Sequence, residues 1–302
     1  MHPLIRVTHE IESALRRGEP VVALESSVLA QGLPIPANAE AATRMVAAVR
    51  RAGATAAITA VASGCATVGL EPHELERFLR RDGVRKVSAR DIPVAIAKGQ
   101  DGATTVAASI ALASAVGIGV FATGGIGGVH RDAPFDESAD LAELARTSMI
   151  VVCAGAKSIL DLPATWERLE SLGVPIVGYQ TDEFPGFFSA ETGIRLDSRM
   201  DDVADIVALY RAHQALGRPQ SILVVQPPPA EFALARASVE SAVKLAQSEA
   251  QRDGIQGASV TPYLLAAVNR LTKGGSLAAN LALLEQNAAL AGEIATMCAG
   301  RR

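Results

Sequence analysis

Short apolar runs alternate with alanine-rich segments of helical period along almost the whole chain. The apolar runs are continuous rather than alternating, which is typical of strands that are covered on both faces. We predict strands at residues 21–24, 57–61, 119–122, 149–153, 176–179 and 222–225. The periodicity between and after these runs predicts helices at residues 38–52, 71–81, 105–116, 139–146, 163–172, 203–216 and 231–251.

This alternation of strand and helix predicts an α/β fold, specifically a three-layer α/β/α sandwich with a mostly parallel central sheet. The pattern changes near the end of the chain. Two helical segments follow there, at 261–272 and 277–298, and Lys273, Gly274 and Gly275 separate them. We expect this helical tail, about residues 258–302, to pack on the rest of the protein. The prediction is therefore a single domain over residues 1–302.

The composition of the chain argues against some classes of binding partner. The chain has 302 residues, of which 49% are hydrophobic, so it can bury a large core. A formal net charge of −4 and only 4% aromatic residues argue against a nucleic-acid surface, and no apolar run reaches membrane-spanning length. The first residues show no signal-peptide pattern, and Cys65, Cys153 and Cys298 are widely spaced. We therefore predict a cytoplasmic protein without a nucleic-acid or membrane partner.

A single lysine at the end of a predicted strand is the most informative chemical feature. Lys157 follows the apolar run 149–153 and three small residues. Because open α/β sheets bind ligands at the carboxyl ends of their strands, we expect its ammonium in a site. It could hold a phosphate as a point charge, or act as a nucleophile toward a carbonyl-type carbon. An ATP-binding P-loop is excluded, since Ala156 rather than glycine directly precedes the lysine.

Two other predicted strands are also followed by residues that could take part in catalysis or ligand binding. Glu25 follows strand 21–24 and is flanked by serines, so it could transfer protons or simply be a surface acid. Four glycines between residues 124 and 128 precede His130 and Arg131. Such a loop brings backbone N–H groups close to a ligand, and the two side chains would add donors, although glycine clusters also form plain turns.

Two predicted helices begin with polar side chains. The acidic segment 136–140 could bind a divalent cation through carboxylate and hydroxyl oxygens, or it could cap a helix. Thr105 could likewise cap its helix or hold a phosphate at the helix N-terminus. The basic segment 84–91 has the composition of a solvated face.

Taken together, these segments resemble the pseudouridine-5′-phosphate glycosidase family, also called the indigoidine-synthase-A-like family. The resemblance extends from about residue 21 to the last predicted helix. Several strings carry it in one order along the chain: VVALES at 21–26, GATTVA at 102–107, VFATGGIGGVHR at 120–131, VVCAGAKSILDL at 151–162, VGYQT at 177–181 and TPYLL at 261–265.

The resemblance implies an enzyme that reversibly cleaves the C–C glycosidic bond of pseudouridine 5′-phosphate, giving uracil and ribose 5-phosphate. Lys157 matches the family's nucleophile, Glu25 its proton donor, and Asp136 the ligand of one Mn²⁺ per subunit. The implied substrate-binding residues are Lys86, Val106, Ser138, Ala139, Asp140, His130 and Asn280, together with Thr105 at its helix start. The family also implies a homotrimer.

These residue types suit the implied reaction. An ordinary glycosidase uses two carboxylates, because its leaving group departs through oxygen. Here the departing atom is carbon C5 of uracil. A lysine amine can attack C1′, open the ribose ring and form an imine, while Glu25 delivers and removes protons. Lys86 and the helix start at Thr105 would supply positive potential for the phosphate.

Two alternatives stay open. The protein could be a non-catalytic binder of a sugar phosphate or nucleotide, in which Lys157 is only a charge. It could also be a related enzyme that acts on another C-nucleoside or sugar phosphate. Two departures from the family pattern concern the site: Gln31 stands where some members have histidine, and the segment 131–136 is two residues shorter than in some members.

Overall fold

The computed structural model describes residues 4–131, 133, 135–255, 257 and 260–300. Its strands are β1 Ile5–Val7, β2 Val21–Leu24, β3 Thr55–Ala62, β4 Cys65–Val68, β5 Arg85–Val87, β6 Gly102–Thr104, β7 Val120–Ala122, β8 Val129–His130, β9 Ile150–Cys153, β10 Leu160–Asp161, β11 Ile176–Tyr179, β12 Arg199–Met200 and β13 Ile222–Val225. Its α-helices are α1 His9–Arg17, α2 Ala37–Arg51, α3 Pro72–Arg80, α4 Ile92–Ala97, α5 Val106–Ala115, α6 Ala139–Leu144, α7 Leu162–Ser171, α8 Val203–Ala215, α9 Arg236–Arg252, α10 Val260–Leu271 and α11 Gly275–Ala299.

Eleven of these strands form one sheet in the order β1-β4-β3-β2-β7-β9-β13-β11-β12, with β5 and β6 joined to it through β3. Neighbouring strands run parallel except where β3 meets β4 and β6. Every residue of β2, β9 and β13 is buried, because helices shield both faces of their apolar runs. The sheet and its surrounding helices confirm the predicted α/β/α sandwich.

The last helix belongs to the core of the protein. Helix α11 packs against α2 and α8 and against strands β2, β7 and β9. It approaches α2 closely at Gly292, where a Cβ atom would lie 2.6 Å from the Cβ of Ala52. The break before α11 falls at the predicted glycine pair, where Gly274 has a φ of +87°. The helical tail therefore forms as expected, but α11 is a core element that supports the strands whose ends carry the candidate site.

Helix α9 begins later than the periodicity predicts. Its first residue is Arg236 rather than 231, because the preceding segment bonds to another part of the chain. The backbone N–H of Leu234 donates to the carbonyl of Phe188 at 2.8 Å, and the helix starts only beyond this contact. Part of the basic segment 84–91 forms the short strand β5, and its side chains Lys86 and Arg90 are exposed, which agrees with its interpretation as a solvated face.

The remaining sequence expectations concern the environment of the protein. No helix among the described residues is long and apolar enough to cross a membrane. Cys65, Cys153 and Cys298 are free thiols. Complete burial raises the pKa of the Cys153 thiol to about 12, so this cysteine is a packing residue and not a nucleophile. A cytoplasmic location stays a prediction.

Candidate active site

A cleft opens where β2, β7 and β9 end, and it has two connected chambers. The outer chamber has a volume of about 260 Å³ and the inner chamber about 40 Å³. Both are lined by Glu25, Ser27, Lys86, Lys157 and Thr261, so these side chains stand between the two chambers. The structure brings together all eleven residues that the family resemblance assigns to the site. The outer chamber holds Thr105, Val106, His130, Asp136, Ser138, Ala139 and Asp140, and the inner chamber holds Asn280.

The backbone around Lys157 is fixed by the glycine loop of the neighbouring strand. The N–H of Ile126 donates to the carbonyl of Gly155 at 3.0 Å, and the N–H of Lys157 donates to the carbonyl of Ile126 at 3.1 Å. Gly155 has a φ of +77°, and a Cβ atom there would lie 2.0 Å from the carbonyl oxygen of Pro185. Only glycine fits this turn, and the turn places the lysine side chain in the cleft.

Glu25 is a buried carboxyl group that two hydroxyls orient. Its exposed fraction is 4%. Ser27 Oγ donates to Oε2 at 2.5 Å, and Thr123 Oγ1 donates to Oε1. Thr123 is itself held, because Asn287 Nδ2 on α11 donates to its carbonyl at 2.8 Å. The sequence interpretation missed Thr123, although its place directly after an apolar strand was the signal that identified Glu25.

Lys86 reaches the cleft because β5 pairs in parallel with β6, which sets Lys86 opposite Ala103. The side chain stays open to solvent in the cleft. Desolvation by the surrounding protein lowers the pKa of the Lys86 ammonium, and the positive charge of Lys157 lowers it further. The carboxylates of Asp140 and Glu25 act in the opposite direction. Lys157 is therefore close enough to Lys86 to influence its charge.

Three of the predicted substrate-binding side chains also hold the wall of the cleft. Thr105 caps α5, and Ser138 Oγ accepts a hydrogen bond from the N–H of Asp140 at 3.2 Å. The two oxygens of Asp140 accept from the N–H groups of Ala107 at 2.9 Å and Gly127 at 2.8 Å. Thr105 and Ser138 thus cap their helices, as predicted, and Asp140 joins the start of α5 to the glycine loop.

Asp136 is an exposed carboxylate at the mouth of the outer chamber. Its side chain is 64% exposed, and Oδ2 lies 4.0 Å from His130 Nδ1. The neighbouring Glu137 is bound by Arg168 at 2.8 Å. Within the described part of the chain, no three His, Cys, Asp or Glu side chains group together as metal ligands. An ion held by Asp136 would therefore have to take its other ligands from water, as Mg²⁺-like cations commonly do.

Arg131 faces away from the cleft, so the expectation that it donates to a ligand of the glycine loop is wrong. Its guanidinium donates to the carbonyls of Leu160 at 2.9 Å and Ser158 at 3.1 Å. It also forms two hydrogen bonds with Glu240 of α9, at 2.8 and 3.0 Å. These bonds tie the turn that follows Lys157 to a long helix.

For the reaction that the family resemblance implies, we expect Arg131→Lys to lower kcat about tenfold with little change in KM. Lysine cannot reproduce the four hydrogen bonds of the guanidinium, so the turn after Lys157 would lose its fixed position. Steady-state kinetics measure the split between kcat and KM, with thermal unfolding measured in parallel. Arg199→Lys is the control, since Arg199 also pairs with two carboxylates but at the exposed surface. An unchanged kcat, or a change in KM alone, would contradict a positioning role.

Related proteins align with almost the whole chain. The family described as indigoidine synthase A like protein matches residues 10–297. The chain is 63% identical over 290 residues to the pseudouridine-5′-phosphate glycosidase of Gemmatimonas aurantiaca, covering 96% of this chain and 95% of the relative. It is 51% identical over 288 residues to the protein of the same name from Herpetosiphon aurantiacus, covering 95% of each.

Two solved structures share the fold over nearly their full length. A prealnumycin C-glycosynthase in complex with ribulose 5-phosphate is 40% identical with a TM-score of 0.91, covering 99% of this chain and 98% of that one. An indigoidine synthase A-like protein from Thermotoga maritima is 37% identical with a TM-score of 0.90 and the same coverage. These matches confirm the resemblance carried by the strand-end strings. The chain therefore belongs to the indigoidine-synthase-A-like family, which includes the pseudouridine-5′-phosphate glycosidases.

Proposed function

We propose that this protein reversibly cleaves the C–C glycosidic bond of pseudouridine 5′-phosphate, giving uracil and ribose 5-phosphate. The observation that carries the proposal is the position of Lys157, Glu25 and Lys86 on the shared boundary between two chambers. Relatives that carry this name, at up to 63% identity, support it. The structural neighbour that binds ribulose 5-phosphate supports a small sugar phosphate as the ligand.

The outer chamber suits the ribose phosphate. Lys86 supplies a positive charge there, and Thr105 marks the N-terminus of α5, where backbone N–H groups favour an anion. His130 and Ser138 add hydrogen-bonding groups along the same wall. In this arrangement the phosphate lies away from the glycosidic bond, while C1′ of the ribose comes within reach of Lys157.

The lining of the inner chamber, though not its volume of about 40 Å³, suits the uracil. Gly124 and Gly125 give it a wall without side chains, and Phe187 gives it an apolar surface. Two amide oxygens, Oδ1 of Asn280 and Oε1 of Gln31, are buried there without a hydrogen-bond partner among the described residues. Because uracil in its C5-linked form has two free N–H groups, these oxygens are matched acceptors for it.

The chemistry proposed for Lys157 and Glu25 proceeds in three steps. The neutral amine of Lys157 attacks C1′, the C1′–O4′ bond breaks, and Glu25 gives its proton to O4′. The ammonium formed in this attack passes a proton back to Glu25, and the freed nitrogen lone pair forms a C=N bond to C1′ as the C1′–C5 bond breaks. Glu25 gives that proton to C5 of the departing uracil. Water finally hydrolyses the imine, which releases ribose 5-phosphate and restores the lysine.

We also keep one Mn²⁺ per subunit and a homotrimer as parts of the proposal. Asp136 would hold the ion together with water molecules, and a cation at this position would orient polar groups of the substrate. The exposed carboxylate and the nearby His130 support this assignment, since both face the outer chamber.

Incubation with pseudouridine 5′-phosphate, with and without Mn²⁺, tests the proposed function through the release of free uracil. Uridine 5′-phosphate is the control substrate, because its uracil is linked through nitrogen and its leaving group differs only at the scissile bond. Tight binding of pseudouridine 5′-phosphate without uracil release would contradict the enzyme and favour a sugar-phosphate binder. Turnover of another C-nucleoside phosphate in preference to it would identify a related enzyme.

The lowered pKa of Lys86 predicts how substrate binding depends on pH. A lysine with a depressed pKa loses its charge at a lower pH than an ordinary lysine, so KM should begin to rise earlier on the alkaline side. Lys86→Ala should raise KM by about 10- to 100-fold, because a charged hydrogen bond to phosphate is lost. Lys86→Arg stays protonated and should flatten the alkaline rise. The measurement is KM against pH for the three proteins, and identical profiles would contradict the phosphate-binding role.

A further inference from the structure

A second cavity lies behind one wall of the cleft. That wall is the antiparallel ribbon of β8 and β10, in which His130 pairs with Leu160 and Val129 with Asp161. His130 and Leu160 line the outer chamber, whereas Asp161 and Arg131 line the second cavity. Because side chains alternate along a strand, a single ribbon separates the two spaces. We call the second cavity the rear chamber; it has a volume of about 390 Å³.

The rear chamber carries two cations on one face of α9. Arg236, Glu240 and Lys244 are spaced four residues apart, so they project from the same side of the helix. Arg131 lowers the pKa of Glu240 most, and Arg236 and Lys244 lower it further. Since Arg131 already forms two hydrogen bonds with Glu240, the charges of Arg236 and Lys244 exceed what that carboxylate balances.

The other carboxylates near the rear chamber are engaged with the backbone. Asp161 Oδ1 accepts from the N–H of Ala164 at 3.0 Å and caps α7. Glu183, which is close enough to Arg236 for the arginine to lower its pKa, accepts from the N–H groups of Thr192 and Gly193, both at 3.0 Å. The N-terminus of α9 at Arg236 adds positive potential. Asp161 and Glu183 keep their negative charges, but neither forms an ion pair with Arg236 or Lys244 among the described residues, so both cations can bind an anion.

An unpartnered hydroxyl also faces the rear chamber. Ser158 is 2% exposed, and its Oγ is buried without a hydrogen-bond partner among the described residues. Buried polar groups in folded proteins are almost always paired, so this hydroxyl can bond to a water molecule or to a ligand in the rear chamber. Ser158 lines the rear chamber directly after Lys157, which lines the cleft on the other side.

We propose that the rear chamber is a second binding site, for a small molecule that carries a phosphate group. Arg236 and Lys244 bind the phosphate, and the Ser158 hydroxyl bonds to a polar atom of the same ligand. The volume lies within the range of about 300–1,000 Å³ that small-molecule sites occupy. The ligand contacts the turn that Arg131 holds, so its binding in the rear chamber can shift the position of Lys157. This consequence alone rests on the proposed function.

Calorimetric titration of the full chain in a Lys86→Ala background tests the site, because that substitution weakens phosphate binding in the cleft. The probes are inorganic phosphate and glycerol 3-phosphate. We expect one of them to bind with a stoichiometry of about one per chain, and Arg236→Ala combined with Lys244→Ala to weaken it at least about tenfold. The charge-matched control is Lys98→Ala with Arg218→Ala, two exposed cations outside both cavities, which should change the affinity less than about twofold.

Each outcome decides between the possibilities. Tighter binding of glycerol 3-phosphate assigns the site to a phosphate ester, and tighter binding of inorganic phosphate assigns it to the free ion. No binding in the Lys86→Ala background, or equal affinity with and without Arg236 and Lys244, would overturn the proposal. Because the titration requires no turnover, its result is independent of whether pseudouridine 5′-phosphate is cleaved. On an otherwise native chain, Arg236→Ala with Lys244→Ala should leave uracil release in phosphate-free buffer within about twofold.

Discussion

Replacing Lys157 by arginine should reduce uracil release from pseudouridine 5′-phosphate by at least about 10³-fold. Arginine stays protonated, so it can keep the charge of the lysine but cannot attack C1′. The fold should persist, because the turn is held by the backbone hydrogen bonds of Lys157 and Ile126 and not by the lysine side chain. Steady-state assay of uracil release measures the effect, with circular dichroism to establish folding.

The control for this substitution is Lys98→Arg, since Lys98 is exposed and lies outside both chambers of the cleft. Substrate binding to Lys157→Arg, measured by calorimetry, should survive in large part. An arginine variant that retains more than about a tenth of the wild-type activity would show that Lys157 acts as a point charge. That result would remove the imine from the mechanism while leaving the cleft as the binding site.

Glu25→Gln is expected to lower kcat by about 10²- to 10⁴-fold, the range typical of a removed general acid or base. Glutamine has nearly the same shape, and its amide can still meet the hydroxyls of Ser27 and Thr123, so the cleft keeps its geometry. The loss should therefore appear in kcat and not in KM.

Two further variants separate the proton donor from its supports. Ser27→Ala and Thr123→Val each remove one hydroxyl from the Glu25 carboxyl, so each should lower kcat less than Glu25→Gln does. Glu231→Gln, at an exposed position outside the cleft, serves as the matched control. If Glu25→Gln changed only KM, Glu25 would be a substrate contact and another group would have to supply the proton.

The sequence predicts those strands and helices whose residue pattern lies within the element itself. The runs that become β2, β9 and β13 are buried on both faces, and a buried strand must be apolar throughout. The break before α11 is visible because glycine tolerates the left-handed conformation that Gly274 adopts. In contrast, β5 and β6 have three residues each and exist because β6 pairs with β3 and β5 pairs with β6. No local pattern predicts such strands.

The same distinction applies to the candidate site. Glu25 and Lys157 could be found from the sequence because Glu25 directly follows one apolar strand of a parallel sheet and Lys157 follows another after three small residues. Lys86 lies on the short strand β5, so only the family resemblance placed it near Lys157. The support of Thr123 by Asn287 joins residues far apart in the chain, and only the packing of α11 brings them together. The direction of Arg131, away from the cleft, likewise depends on tertiary contacts with α9.

Borohydride reduction in the presence of ribose 5-phosphate tests the central claim most directly. The open-chain aldehyde of ribose 5-phosphate should form an imine with Lys157, and reduction should convert it into a stable amine that peptide mass spectrometry can locate. We predict one ribose phosphate adduct per chain, on Lys157, and none on Lys157→Arg. A stable adduct on Lys86 or another lysine, or no adduct in an enzyme that releases uracil, would contradict Lys157 as the nucleophile.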